Sequence, residues 1–270
     1  MDNRPIGVFD SGLGGLTAVK ELKRVLPNES IVYFGDTGRV PYGTRSRETI
    51  IRYASQDMNF LMKQNVKAVV AACGTVSSTC SELGSKLPVP YIDVITPTAA
   101  AAVEATKNSR IGVLGTSATI NSGSFVRAIN ALAPGDEVYC EACPLFVSLV
   151  ENGFVARGDE VTELAARRYL ASLNARDVDT VILGCTHFPI IKWAIGNAVG
   201  ENVRLIDSGR ETARFLAGVL REEGLLAEES HRPEYSYFVS DTIQGFRNVA
   251  ELFLGGSVDG EIKKIDIEKY

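Results

Sequence analysis

The chemistry of this sequence centres on two cysteines. The run Val69-Val70-Ala71-Ala72-Cys73-Gly74-Thr75 is small and β-branched, the composition of a buried strand, and it delivers a thiol where the strand must stop. A second run repeats it: Val66 to Cys73 aligns without gaps on Val178 to Cys185, 112 residues further on. In open α/β sheets ligands bind outside the carboxyl ends of the strands. The reading is therefore of two thiols facing each other across one ligand. A helix N-terminus or a nearby cation lowers a thiol pKa from its usual value of about 8.5. Each cysteine is followed by residues able to start a helix, and Cys185-Thr186-His187 adds a histidine two residues on.

Four chemistries fit cysteines so placed. Free cysteine is among the most buried residue types, so one such residue reads best as core; a pair at equivalent places in two half-repeats does not. A metal site needs three or four ligands, and Cys140-x-x-Cys143 offers two more thiols, but there is no second such pair and the only histidines are His187 and His231. The same Cys-x-x-Cys is a weak redox signal. The fourth chemistry is proton transfer on both faces of one carbon, which inverts a stereocentre. It needs two monoprotic groups on opposite sides, one thiolate while the other is thiol. That is racemisation or epimerisation without a cofactor. No complete Rossmann glycine set, phosphate loop or pyridoxal lysine motif supports another scheme.

The elements that must position these thiols follow from the pattern. Ile6 to Phe9 is a strand, Asp10 to Gly15 a tight turn, and Leu16 to Leu26 a helix ended by Pro27. A dinucleotide motif would need glycine at Thr17, so what remains is an acid, Asp10, and free N–H groups at a helix start. A plain glycine turn is an equal reading. Strands follow at Ile31 to Asp36, Val69 to Cys73 and Val89 to Asp93, with helices expected at Ser46 to Gln64, Thr75 to Leu83 and Pro97 to Thr106. Then the pattern restarts: Ile111 to Ser117 matches Ile6 to Gly12, Val138 to Cys140 is a second strand, and Val203 to Asp207 matches Val89 to Asp93. Matches in the same order predict two similar α/β lobes of βα units with right-handed crossovers. The expected lobes are residues 1–96 with 208–270, and 97–207, because the strand at Tyr235 to Ser240 and the helix at Ile243 to Leu254 form a tail that must pack on a lobe. A cleft between lobes is a preferred small-molecule site.

Composition narrows the class. The chain has 270 residues, 45% hydrophobic, with net charge −5. No basic run points to nucleic acid or an anionic membrane, and no apolar run reaches the roughly 18 residues of a membrane span. No secretory signal pattern precedes the first strand, so a cytoplasmic protein is expected. Five cysteines, an odd number, argue against a disulfide framework.

Taken jointly, several motifs resemble those of the cofactor-independent glutamate racemases, within the aspartate/glutamate racemase superfamily, and in that family's order. They are Asp10-Ser11-Gly12-Leu13-Gly14-Gly15-Leu16, Pro41-Tyr42-Gly43, Ala72-Cys73-x-Thr75, Ala142-Cys143-Pro144-Leu145-Phe146-Val147, Glu151 and Gly184-Cys185-Thr186-His187. The resemblance covers nearly the whole chain. It implies two pseudo-symmetric flavodoxin-like lobes with mainly parallel sheets and the active site between them, and conversion of L-glutamate to D-glutamate for peptidoglycan of the cell wall. It implies no cofactor and no metal, glutamate as the small-molecule partner, and a homodimer. By the same resemblance Cys73 and Cys185 are the two bases, the first serving D-glutamate and the second L-glutamate. Asp10 assists Cys73; Glu151 and His187 assist Cys185. Asp10, Ser11, Tyr42, Gly43, Gly74, Thr75, Thr186 and His187 hold the substrate. Without the family, Glu151 reads as a solvated helix charge and His187 as a structural histidine. Cys140 belongs to no family motif, which leaves the Cys-x-x-Cys accidental.

One departure stands out. The family usually has asparagine after the first cysteine, and here that residue is Gly74; Ser148, where proline is common, is a smaller departure. An asparagine restored at 74 is expected to add a hydrogen bond if the backbone there is ordinary, and to cost stability if φ is positive. Two other functions compete. A relative specific for aspartate tends to carry glutamate after the second Cys-Thr, where this chain has His187. A non-catalytic two-lobed amino-acid-binding protein would have no use for two cysteines.

Overall fold

In the computed structural model, which describes residues 1–270 apart from position 248, the apolar runs become parallel strands flanked by the helices that return the chain. The strands are β1 (Ile6–Asp10), β2 (Ile31–Gly35), β3 (Ala68–Ala71), β4 (Tyr91–Asp93), β5 (Arg110–Gly115), β6 (Glu137–Ala142), β7 (Thr180–Leu183), β8 (Arg204–Asp207), β9 (Tyr235–Val239) and β10 (Glu261–Lys264). They form a six-stranded sheet, β10-β9-β2-β1-β3-β4, and a four-stranded sheet, β6-β5-β7-β8. The fold is a mixed α/β architecture with two parallel sheets.

The internal repeat extends to the strand register. Gly7 lies opposite Val69 in the first sheet, and Gly112 opposite Val181 in the second. Val69 then faces Tyr91, and Val181 faces Leu205. These are the pairs that the sequence offsets align. A one-residue slip would turn every side chain to the other face, so equal register places equivalent residues on equivalent faces. On β3 and just beyond it, Val69, Ala71 and Cys73 pack with Ile50, Ala54, Phe60 and Leu61 of the helix Arg47–Lys63. Ala68, Val70 and Ala72 pack with Leu16, Val19 and Leu22 of the helix Leu16–Val25.

The C-terminal segment returns to the first sheet, where β9 pairs with β2 and β10 adds an edge. The polar Glu261–Lys264 run carries no strand pattern of its own; it pairs because β9 offers it an open edge. The helix Ser208–Glu222, which follows β8, packs on the helix Leu16–Val25, and Thr17 Oγ1 of that helix lies 3.0 Å from the Thr186 carbonyl oxygen of the other half. No helix among the described residues is long and apolar enough to cross a membrane.

Three local expectations change. The helix expected from Thr75 to Leu83 is two, Gly74–Thr79 and Ser81–Gly84, broken at Cys80. The hydroxyls of Ser78 and Thr79 bond back to the Thr75 carbonyl at 2.9 and 2.8 Å, competing with the helix ladder. The helix expected at Pro97 begins at Ile95, because Asp93 Oδ1 accepts the N–H groups of Ile95 and Thr96 and Pro97 fits the first turn. No α-helix starts directly after Cys185. A 3-10 turn, Phe188–Ile191, intervenes before the helix Lys192–Val199, with Pro189 unable to donate and Phe188 buried 5.3 Å from the Phe146 ring.

Candidate active site

β3 and β7 each end two residues short of a cysteine, and the equal register brings both thiols to the same end of their sheets. Cys73 and Cys185 line one cavity of about 350 Å³. Ser11, Tyr42, Gly43, Gly74 and Thr75 border it from one side; Glu151, Thr186 and His187 border it from the other. Of the designated residues only Asp10 is absent from the wall. It lies behind the turn, 1% exposed, with Oδ2 accepting the Gly12 N–H at 2.9 Å.

The two thiols have different surroundings. Cys73 caps the N-terminal end of the helix Gly74–Thr79 and lies 3.4 Å from Ser11 Oγ. Burial, followed by the nearby charge of Asp10, pushes its thiol up to about 12, against smaller opposing effects of hydrogen bonds. Burial also raises Asp10 itself, with the His187 charge opposing. Cys185 Sγ lies 3.8 Å from His187 Nδ1, and Nε2 of the same ring lies 3.1 Å from Glu151 Oε1. Burial disfavours an imidazolium there, but the hydrogen bonds and negative charge of Cys185 and Glu151 outweigh it, and His187 is pushed up to about 10. The ring is held edge-on to Phe253 of the tail, at 5.3 Å. One thiol is thus kept protonated while the other faces an imidazolium. Glu151, half-exposed at the end of the helix Pro144–Glu151, is a partner of His187 rather than a free surface charge.

Some wall residues carried no motif. Thr116 Oγ1 lies 3.2 Å from Thr75 Oγ1 and 3.0 Å from Thr119 Oγ1, a chain of hydroxyls that links the two sides. Ser117 and Ser148 also border the cavity, beside Val147 of the Ala142 to Val147 motif. The repeat held a signal for the first of these, because the alignment of Ile111 on Ile6 places Thr116 where Ser11 stands. Cys140, half-buried on β6, and the buried Cys143 do not reach the cavity, and His231 Nε2 lies 3.0 Å from Ser30 Oγ in the tail. Among the described residues no group of three or more His, Cys, Asp or Glu side chains is placed to hold a metal ion.

Gly74 lies in the first turn of its helix with no positive φ. A Cβ there would stand 2.6 Å from the Gly184 carbonyl oxygen, across the meeting of the two halves. The glycine is required by a close backbone approach and not by an unusual backbone angle.

A sheet repeated in register, with one thiol at each equivalent strand end on a shared cavity, defines a pseudo-symmetric α/β protein with paired thiols at one small-molecule site. The pattern of the Asp/Glu/Hydantoin racemase family matches residues 12–216, and the chain belongs to that family. It is 46% identical to the glutamate racemase of Geobacter metallireducens over 266 residues, 98% of this chain and 97% of that one. Among solved structures it matches a glutamate racemase isoform from Bacillus anthracis with TM-score 0.93 and 37% identity, over 98% of each chain. It matches the Francisella tularensis glutamate racemase in complex with D-glutamate with TM-score 0.92 and 42% identity, over 100% of each chain. The protein is an isomerase of this family.

Proposed function

We propose that this chain is a glutamate racemase which moves the α-proton of glutamate between two thiols, without a cofactor. The observation that carries the mechanism is the pair of register-equivalent cysteines on one cavity. The supporting arrangement divides the labour. Cys185, whose Sγ faces the His187 ring, is the base that takes the α-proton of L-glutamate. Cys73, held as a thiol, gives its proton to the opposite face of the same carbon, and D-glutamate results. The reverse reaction starts from a Cys73 thiolate, which burial and the Asp10 charge make a strong base. A strong base suits a weakly acidic carbon–hydrogen bond. Glu151 holds the His187 ring in place and supports its charge. Hydroxyls of Ser11, Thr75, Thr116 and Thr186, with the backbone at Gly43 and Gly74, hold the ammonium and carboxylate groups.

The same reading gives lobes of residues 1–96 with 208–270, and 97–207, a homodimer, and a cytoplasmic role in supplying D-glutamate for peptidoglycan. Purified protein in deuterium oxide, given L-glutamate and no added cofactor, is expected to yield D-glutamate carrying deuterium at Cα. L-glutamate recovered unlabelled, with no D-enantiomer, rules the proposal out.

A further inference from the structure

Beneath the 40–44 wall of the cavity lies a buried group of charges that the proposed proton transfer does not use. Asp36 and Asp57 are both 0% exposed. Arg39 joins them, with Nε donating to Asp36 Oδ2 at 2.6 Å and Nη2 to Asp57 Oδ1 at 3.1 Å. Its Nη1 donates to Gln56 Oε1 at 2.5 Å and to Glu268 Oε1 at 3.2 Å, and the guanidinium lies over the Tyr53 ring at 4.0 Å. Ser240 Oγ donates to Asp36 Oδ1 at 2.7 Å. The Tyr42 hydroxyl stands between the two acids, in contact with Asp36 Oδ2 and 3.1 Å from Asp57 Oδ2.

A phenol has one hydrogen to donate. Given to Asp36, the closer partner, it leaves nothing between Tyr42 Oη and Asp57 Oδ2 unless the second acid brings its own. Two buried carboxylates around one guanidinium also leave one negative charge uncompensated. A proton on Asp57 Oδ2, donated to Tyr42 Oη, meets both requirements. Burial, followed by the charge of Asp36, pushes Asp57 the same way, well above the usual carboxylate range.

The supported segment spans the cavity. Tyr42 and Gly43 line it, and a Cβ on Gly43 would stand 3.6 Å from Thr116 on the opposite side. The last turn of the chain closes the clamp from outside: Glu268 holds Arg39, the Tyr270 carbonyl accepts from Asn59 Nδ2 at 3.3 Å, and the Tyr270 ring meets Phe60 at 5.2 Å. We propose that Asp57 is held as a neutral carboxylic acid, and that Asp57, Asp36 and Arg39 are positioning residues that fix Tyr42 and Gly43 against the substrate. The inference rests on the reading of this cavity as the amino-acid site.

Infrared spectroscopy at neutral pH tests the protonation directly. The carbonyl band of a protonated carboxyl is expected in the wild type and is lost in Asp57→Asn; identical spectra in that region overturn the proposal. Kinetics test the positioning. Asp57→Asn, neutral and of the same shape, is expected to keep KM within about 2-fold, while Arg39→Ala raises KM about 10-fold and changes kcat by less than about 3-fold. A folded Arg39→Ala protein with wild-type KM, or one that loses kcat alone, overturns it. If Arg39→Ala does not fold, Glu268→Ala removes one exposed contact of the clamp and is expected to raise KM about 2- to 3-fold; an unchanged KM there is equally decisive against it. Wild-type protein without turnover would count against the racemase reading and leave the infrared result as the judge of Asp57.

Discussion

Gly74 and Gly184 approach each other backbone to backbone where the two halves of the protein meet. A Cβ on Gly74 would lie 2.6 Å from the Gly184 carbonyl oxygen, and backbone has little freedom to give way. Gly74→Asn is therefore expected to part the two halves rather than add a contact to the substrate. Forced overpacking typically costs about 1–3 kcal/mol. Thermal unfolding should show a lower Tm for Gly74→Asn, with a higher KM for glutamate. A gain in affinity without loss of Tm would show that the halves separate easily.

Cys73→Ala and Cys185→Ala are each expected to lower racemisation by about 10³-fold or more, the scale of a lost acid–base group. Each variant retains one base. Solvent-deuterium exchange is expected from L-glutamate alone in Cys73→Ala and from D-glutamate alone in Cys185→Ala. Near-normal racemisation in either variant rules out two bases. Cys140→Ser, away from the cavity, should leave turnover unchanged.

Stability should fall as pH rises through the range where His187 titrates. Its value in the folded protein is about 10, against 6.5 for the free group. A folded protein that keeps a proton longer than the unfolded chain loses stability as pH rises. The contribution of His187 is thus complete below 6.5 and lost by the time pH passes about 10. Cys73, raised from 9.0 to about 12, acts with the same sign at higher pH. Urea unfolding midpoints are expected to decline across this window for the wild type and to stay flatter for His187→Gln. Parallel curves would remove the imidazolium from the account.

Thr116→Val removes the middle member of the Thr75–Thr116–Thr119 hydroxyl chain while keeping its shape. A net hydrogen bond is worth about 0.5–1.5 kcal/mol, so KM for glutamate should rise about 2- to 10-fold. If KM is unchanged and Tm alone falls, the hydroxyl chain joins the lobes without touching the substrate.

What the chain encodes locally was legible from one sequence. Val69 to Cys73 and Val178 to Cys185 announce buried strands because hydrophobic periodicity is a short-range property. The offsets that align Gly7 on Gly112 and Val69 on Val181 join residues that the two sheets pair at equivalent places. The positions of Cys73 and Cys185 at strand ends followed from those runs. Other features required the folded chain. Apart from the family resemblance, Glu151 read as a surface charge, and the fold sets it 3.1 Å from His187; Gly74 read as a missing amide until Gly184 appeared beside it. Arg39 and Glu268 lie 229 residues apart and meet in one clamp. No window along the sequence contains such a pair. Their contact arises only when β9 and β10 bring the C-terminal segment back to β2, so burial, charge and hydrogen-bond count at that point are properties of the packing.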